Sequence, residues 1–93
     1  MRELDFESFL NSDSNIISKT KAVRSRVTKA KLIERYFGTP LDFIVSNDEM
    51  MYNTLLRIKA EMKDPNGTVS NALRKYYQFV NDKMFPTLAE YRQ

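Results

Sequence analysis

Five apolar residues between Ser18 and Gly38 constrain the fold more than any other feature. Val23, Val27, Ala30, Ile33 and Phe37 follow one another at spacings of four, three, three and four. At about 100° per residue that pattern is one side of an α-helix. Lys21, Arg24, Thr28, Lys31 and Arg35 recur at three, four, three and four on the opposite side. Residues 18–37 hold seven of the fifteen Lys and Arg residues and one acid, Glu34, a net of +6. The rest of the chain, with eight basic and eleven acidic residues, carries −3. Such a polarised chain presents one face to an anionic partner.

The flanking segments read at the same period. Phe6, Phe9 and Leu10 mark a short helix over residues 3–10, with Glu3, Asp5 and Glu7 in its first turns, where the helix dipole favours negative charge. NSDSN at 11–15 is a polar connector. Ile16 and Ile17 suit a hydrophobic staple ahead of Ser18, the expected N-cap of the basic helix. Gly38 is its expected C′ residue, and Pro40 prevents continuation. LDFIV at 41–45 reads as a packed connector, a 3₁₀ turn or a brief extended piece. Ser46 and Glu49 form a capping-box pattern opening a helix with Met51, Leu55, Ile58 and Met62 on its apolar face, supported by Tyr52 and Leu56. Asp64-Pro65-Asn66-Gly67 breaks the chain. Thr68 or Ser70 is the expected cap of the next helix, where Val69, Leu73, Tyr76 and Val80 face inward and Ala72 and Phe79 widen the face. Phe85-Pro86 breaks it again, and 87–91 makes a last turn. The expectation is one all-α domain over 1–93, a compact bundle of four main helices with a short C-terminal helical turn.

Composition narrows the function. With 42% hydrophobic and 29% charged residues the chain suits a globular domain, and 93 residues suffice for one core without staples. Cysteine and histidine are absent, which removes disulfides, thiolate metal sites and the usual base–nucleophile pairs. No run approaches the ~20 apolar residues of a membrane span, and the acidic N-terminus is unlike a secretory signal. The expected setting is the cytoplasm, without membrane contact. Glu61, Lys63 and Asp64 resemble the E-x-K pattern of metal-dependent nucleases, but that chemistry needs strands, and here the residues close a helix. Asp42, Asp48 and Glu49 could gather as carboxylates, yet the last two already serve a helix start. Neither catalytic residues nor metal ligands nor a cofactor are expected; the chain is not read as an enzyme.

The basic stripe has a plain alternative, a solvated helix face. Such faces mix signs through i,i+4 Glu–Lys pairs, and here only Glu34 is at hand, toward the Val23/Val27 side. The expected partner is therefore DNA, with RNA left open. Lys21, Arg24, Lys31 and Arg35 would contact phosphates with Thr28 helping. On the later helix Asn71, Arg74, Lys75 and Gln78 would add backbone or base contacts, since Asn, Gln and Arg suit base edges. Tyr77 falls at the edge of that helix's core face, with its hydroxyl expected in water. A protein-interaction module is the rival: a phage- or plasmid-encoded factor docking the same stripe on an acidic partner, with Met50, Tyr52 or Tyr77 as anchors.

The order of parts is similar to a known family. FESFL, then SKTKAVRSRVTKAKLIERYFG, LDFIV, SNDEMMYNTLLRIK and TVSNALRKYYQFVN together resemble the N-terminal core-binding, SAM-like domain of tyrosine recombinases and phage integrases over residues 4–82. Ala72-Leu73-Arg74-Lys75-Tyr76-Tyr77-Gln78-Phe79 matches that family's last-helix run. The resemblance implies a helical module forming half of a clamp around duplex DNA, through the basic helix and the helix of residues 68–81. The family's catalytic domain has no counterpart in this sequence.

Overall fold

Every long 3.6-period segment is helical in the computed structural model, which describes residues 1–14 and 19–92. The elements are α1 (Glu3–Asn11), α2 (Lys19–Phe37), α3 (Leu41–Val45), α4 (Asp48–Glu61), α5 (Thr68–Asn81) and α6 (Leu88–Tyr91). Four are long and none of the described residues is in a strand. The radius of gyration is 12.4 Å, close to the roughly 12 Å of a compact chain this long.

One core collects the apolar faces. It takes Phe6 and Leu10 from α1, Val23, Val27, Ala30 and Ile33 from α2, and Leu41, Ile44 and Val45 from α3. Met51, Leu55 and Ile58 come from α4, and Val69, Leu73, Tyr76 and Tyr77 from α5. The broadest seam joins α2 to α5, with α1 laid across both. Tyr76 sits edge-on to Phe6 at 4.9 Å, a favoured aromatic geometry.

Several local expectations are corrected. LDFIV is a five-residue α-helix rather than a connector; Pro40 is its N-cap, and the Pro40 carbonyl accepts the N–H groups of Phe43 and Ile44. The cap of α4 is Asn47, not the Ser46–Glu49 box: Asn47 Oδ1 accepts the Met50 N–H at 2.9 Å. Ser46 instead closes α3, its Oγ donating to the Phe43 carbonyl at 2.7 Å. Neither Thr68 nor Ser70 caps α5. Gly67 holds that position at φ +70°, and Asp64 reaches forward to accept the N–H groups of Val69 and Ser70 at 3.0 and 2.9 Å. Leu56 turns outward, 39% exposed, and Val80 is only half-buried. The staple at Ile16 and Ile17 and the cap at Ser18 lie outside the described residues. Gly38 does end α2, at φ +62° with its N–H on the Glu34 carbonyl, the left-handed C′ that glycine takes without strain.

Polar bonds tie the bundle's ends. Tyr76 donates to Asp42 at 2.8 Å and accepts from the Arg2 backbone at 2.9 Å. The Met1 ammonium lies 3.0 Å from Glu34, which also accepts the Leu41 N–H. Burial opposes charge on Asp42, but bonds from Tyr76 and Arg2 outweigh it and hold its pKa below the ordinary value. After α5, Phe85 packs edge-on against Tyr77 and leans on Tyr91, which stacks on Tyr52. Thr87 and Glu90 form a reciprocal capping box that starts α6.

Candidate nucleic-acid interface

The sides of α2 fall as its periodicity requires. Val23, Val27, Ala30 and Ile33 are buried, while Lys21, Arg24, Thr28, Lys31 and Arg35 are exposed on the outer face. Lys21, Arg24 and Arg35 make no ion pair among the described residues. Arg35 also sits in the last turn of α2, where the helix dipole welcomes a cation.

Lys31 is different. Its ammonium meets Glu3 of α1 at 2.9 Å, both side chains about half exposed. Glu3 and Glu7 border a cleft of about 360 Å³ shared with Arg24, Thr28 and Lys31. Acidic partners for the stripe therefore exist, supplied from another helix rather than from i,i+4 positions on α2. They flank one edge of the stripe and leave Lys21 and Arg35 clear. At the far end Arg57 of α4 closes on Glu61, and Tyr36 donates to the same carboxylate at 2.9 Å. The Arg57 and Tyr36 bonds hold the Glu61 carboxyl below its usual range.

The α5 candidates are arranged otherwise than expected. Arg74 donates through Nη1 to the carbonyls of Phe85 and Pro86 at 3.1 and 3.0 Å, so it straps the segment after α5 to the helix. Burial pushes the Arg74 guanidinium down from the usual arginine value. Lys75 is paired with Asp13. Asn71 is exposed, Gln78 is half-buried, and neither side chain is hydrogen-bonded among the described residues. These four do not extend the α2 stripe; they surround a pocket of about 240 Å³ between α2, α5 and the segment after α5. Its α2 wall is Arg26, which sequence reasoning passed over. Its place is legible in retrospect, since Arg26 lies about 200° round the helix from Arg24 at 100° per residue.

Tyr77 is not a boundary residue. It is 1% exposed, and its hydroxyl donates to Asp48 at 2.8 Å. Met50 and Tyr52 are half-buried against the core rather than free anchors. The carboxylates weighed as a cluster are dispersed onto three phenols: Asp42 on Tyr76, Asp48 on Tyr77 and Glu49 on Tyr91. Glu61, Lys63 and Asp64 are parted likewise, into an ion pair, a left-handed turn residue and an acceptor for the first N–H groups of α5. Among the described residues no three potential metal ligands come together, and no helix is long and apolar enough to cross a membrane. No known protein family, curated protein or solved structure matches the chain.

Proposed function

We propose that this protein is a non-catalytic nucleic-acid-binding module that lays the outer face of α2 along a DNA duplex. One observation carries the reading: Lys21, Arg24 and Arg35 stand exposed along one helix face with no carboxylate partner among the described residues. From 21 to 35 the stripe runs about 21 Å at ~1.5 Å per residue, long enough to follow several phosphates. Thr28 lies between them as a hydroxyl donor to the same backbone. The likeness of residues 4–82 to recombinase core-binding domains points the same way, with a clamp on duplex DNA as the implied use. Because Arg74 and Lys75 are engaged inside the protein, α2 is given the duplex contact.

Fluorescence anisotropy over a salt series tests this. Three phosphate contacts predict that log K falls against log salt with a slope near −2.7, at about −0.9 per contact. Changing Arg24 and Arg35 together to Gln should weaken every duplex alike and flatten the slope by about 1.8. Lys31→Gln should change it less, because Glu3 already neutralises that ammonium. Wild type that binds neither DNA nor RNA at low salt overturns the reading. An acidic protein surface then becomes the partner, reached by the same stripe with Leu32, 39% exposed, beside it.

A further inference from the structure

Arg26 is the one side chain among the described residues with a buried polar atom that has no hydrogen-bond partner. The atom is Nε, and among the described residues no acceptor or carboxylate meets the rest of the guanidinium either. An arginine cannot shed its charge to escape such a position. A buried donor left unmade is destabilising and calls for an explanation.

The surroundings supply one. Arg26 opens onto the 240 Å³ pocket whose other polar walls are Asn71, Arg74, Lys75 and Gln78. Three cations from two helices converge there, and among the described residues the carboxylate that meets them is Asp13, which holds Lys75. Asn71 and Gln78 add amide groups that no other described residue hydrogen-bonds. Arg74 is fixed from behind by the Phe85 and Pro86 carbonyls, so its position is set before any ligand arrives. Met84, 76% exposed, forms an apolar lip.

We propose that this pocket is an oxyanion site that takes a phosphate group, with Arg26 and Arg74 as its principal ligands and Lys75, Asn71 and Gln78 beside them. A phosphate offers several acceptor oxygens at once and matches guanidinium forks in geometry. Its negative charge meets the cations gathered there, and its oxygens match the guanidinium forks that line the wall. The site is independent of the duplex reading, because Arg26 and Arg24 point to opposite sides of α2. The phosphate belongs either to a small phosphate ester or to the end of a nucleic-acid strand, and the chemistry at the pocket is the same.

The test uses the full ¹⁵N-labelled chain and follows the arginine Nε–Hε resonances by NMR. Inorganic phosphate replaces chloride at constant ionic strength; a nucleoside monophosphate follows, then a short oligonucleotide with and without a 5′-phosphate. The Arg26 signal should shift saturably, and Arg26→Gln should weaken binding about tenfold or more, as expected for losing a charge-assisted bond. Gln78→Glu, at a half-buried position that does not bear on the core, should weaken it as well. Saturation by the monophosphate alone assigns a small ester; saturation by the 5′-phosphorylated strand and not its unphosphorylated twin assigns a strand end. Arg24→Gln with Arg35→Gln should leave the inorganic-phosphate and monophosphate titrations unchanged, and Arg26→Gln should leave the duplex salt slope unchanged, so either reading can fail alone. An Arg26 resonance that stays still, or drifts without saturating in every arm, overturns the proposal.

Discussion

At the scale of single residues, the start of α4 shows how one position decides an outcome. Ser46 and Asn47 are both good N-cap residues, and Ser46 has Glu49 at the spacing of a capping box. What selects Asn47 is its neighbour: α3 exists, and its last turn takes Ser46, whose N–H and Oγ both donate to the Phe43 carbonyl. A five-residue helix has too little sequence to announce itself, so the competing use of Ser46 was not readable. Asn47→Ala should therefore lower stability by about 0.5–2 kcal/mol, whereas Ser46→Ala, losing an exposed bond, should cost well under half of that. Urea denaturation of the two variants side by side checks it; a larger loss for Ser46→Ala would return the cap to the earlier residue.

At the scale of elements, α5 begins without a capping side chain of its own. Asp64, three residues before the Gly67 cap, spans the turn and accepts two of the orphan N–H groups, with a longer contact to the Thr68 hydroxyl at 3.5 Å. Partial burial opposes the charge on Asp64, but the backbone bonds from Ser70 and Val69 prevail and hold its pKa below the ordinary value. A carboxyl depressed on folding contributes stability that is complete above its unfolded pKa and lost as pH falls through its folded one. Asp64→Ala should thus cost about 1–2 kcal/mol near neutrality, and the gap to wild type should shrink in acid below about pH 4. Denaturant midpoints at neutral and acid pH measure both effects. The same scale explains the stripe. The long amphipathic α2 was legible because its period repeats over five turns. The acids that face Lys31 come from α1, however, and no local pattern shows which helix will lie beside which.

At the scale of the whole molecule, α5 joins its neighbours through two adjacent phenols, Tyr76 on Asp42 of α3 and Tyr77 on Asp48 of α4. Burial first, and the carboxylate beside each, push both pKa values up to about 12. The folded protein therefore keeps protons that the unfolded chain gives up near pH 10. Their contribution is whole below about pH 10 and drains away as pH rises toward about 12. Denaturation at a series of alkaline pH values should show falling stability over that window, and Tyr77→Phe should reduce the slope. A tyrosinate absorbance titration should show these two among the last of the five phenols to ionise. The core positions Tyr76, Leu73, Ile33 and Met51 were readable from period alone. Tyr77 was not, because α5 is covered on two sides and the chain after it folds back to bury the flank that a surface helix would leave open.

The seam between α2 and α5 also bears on how quickly the bundle can form. Its two helices lie about half the chain apart, so the largest interface cannot close until the intervening loop entropy has been surrendered. α3, α4 and α5 are successive and meet over short connections. Docking of α2 is then expected to be the slow event, so truncations on its Val27–Ile33 face should act mainly on the folding rate in stopped-flow refolding. Loosening the Arg74 strap, which closes over helices already assembled, should instead appear in the rate of unfolding.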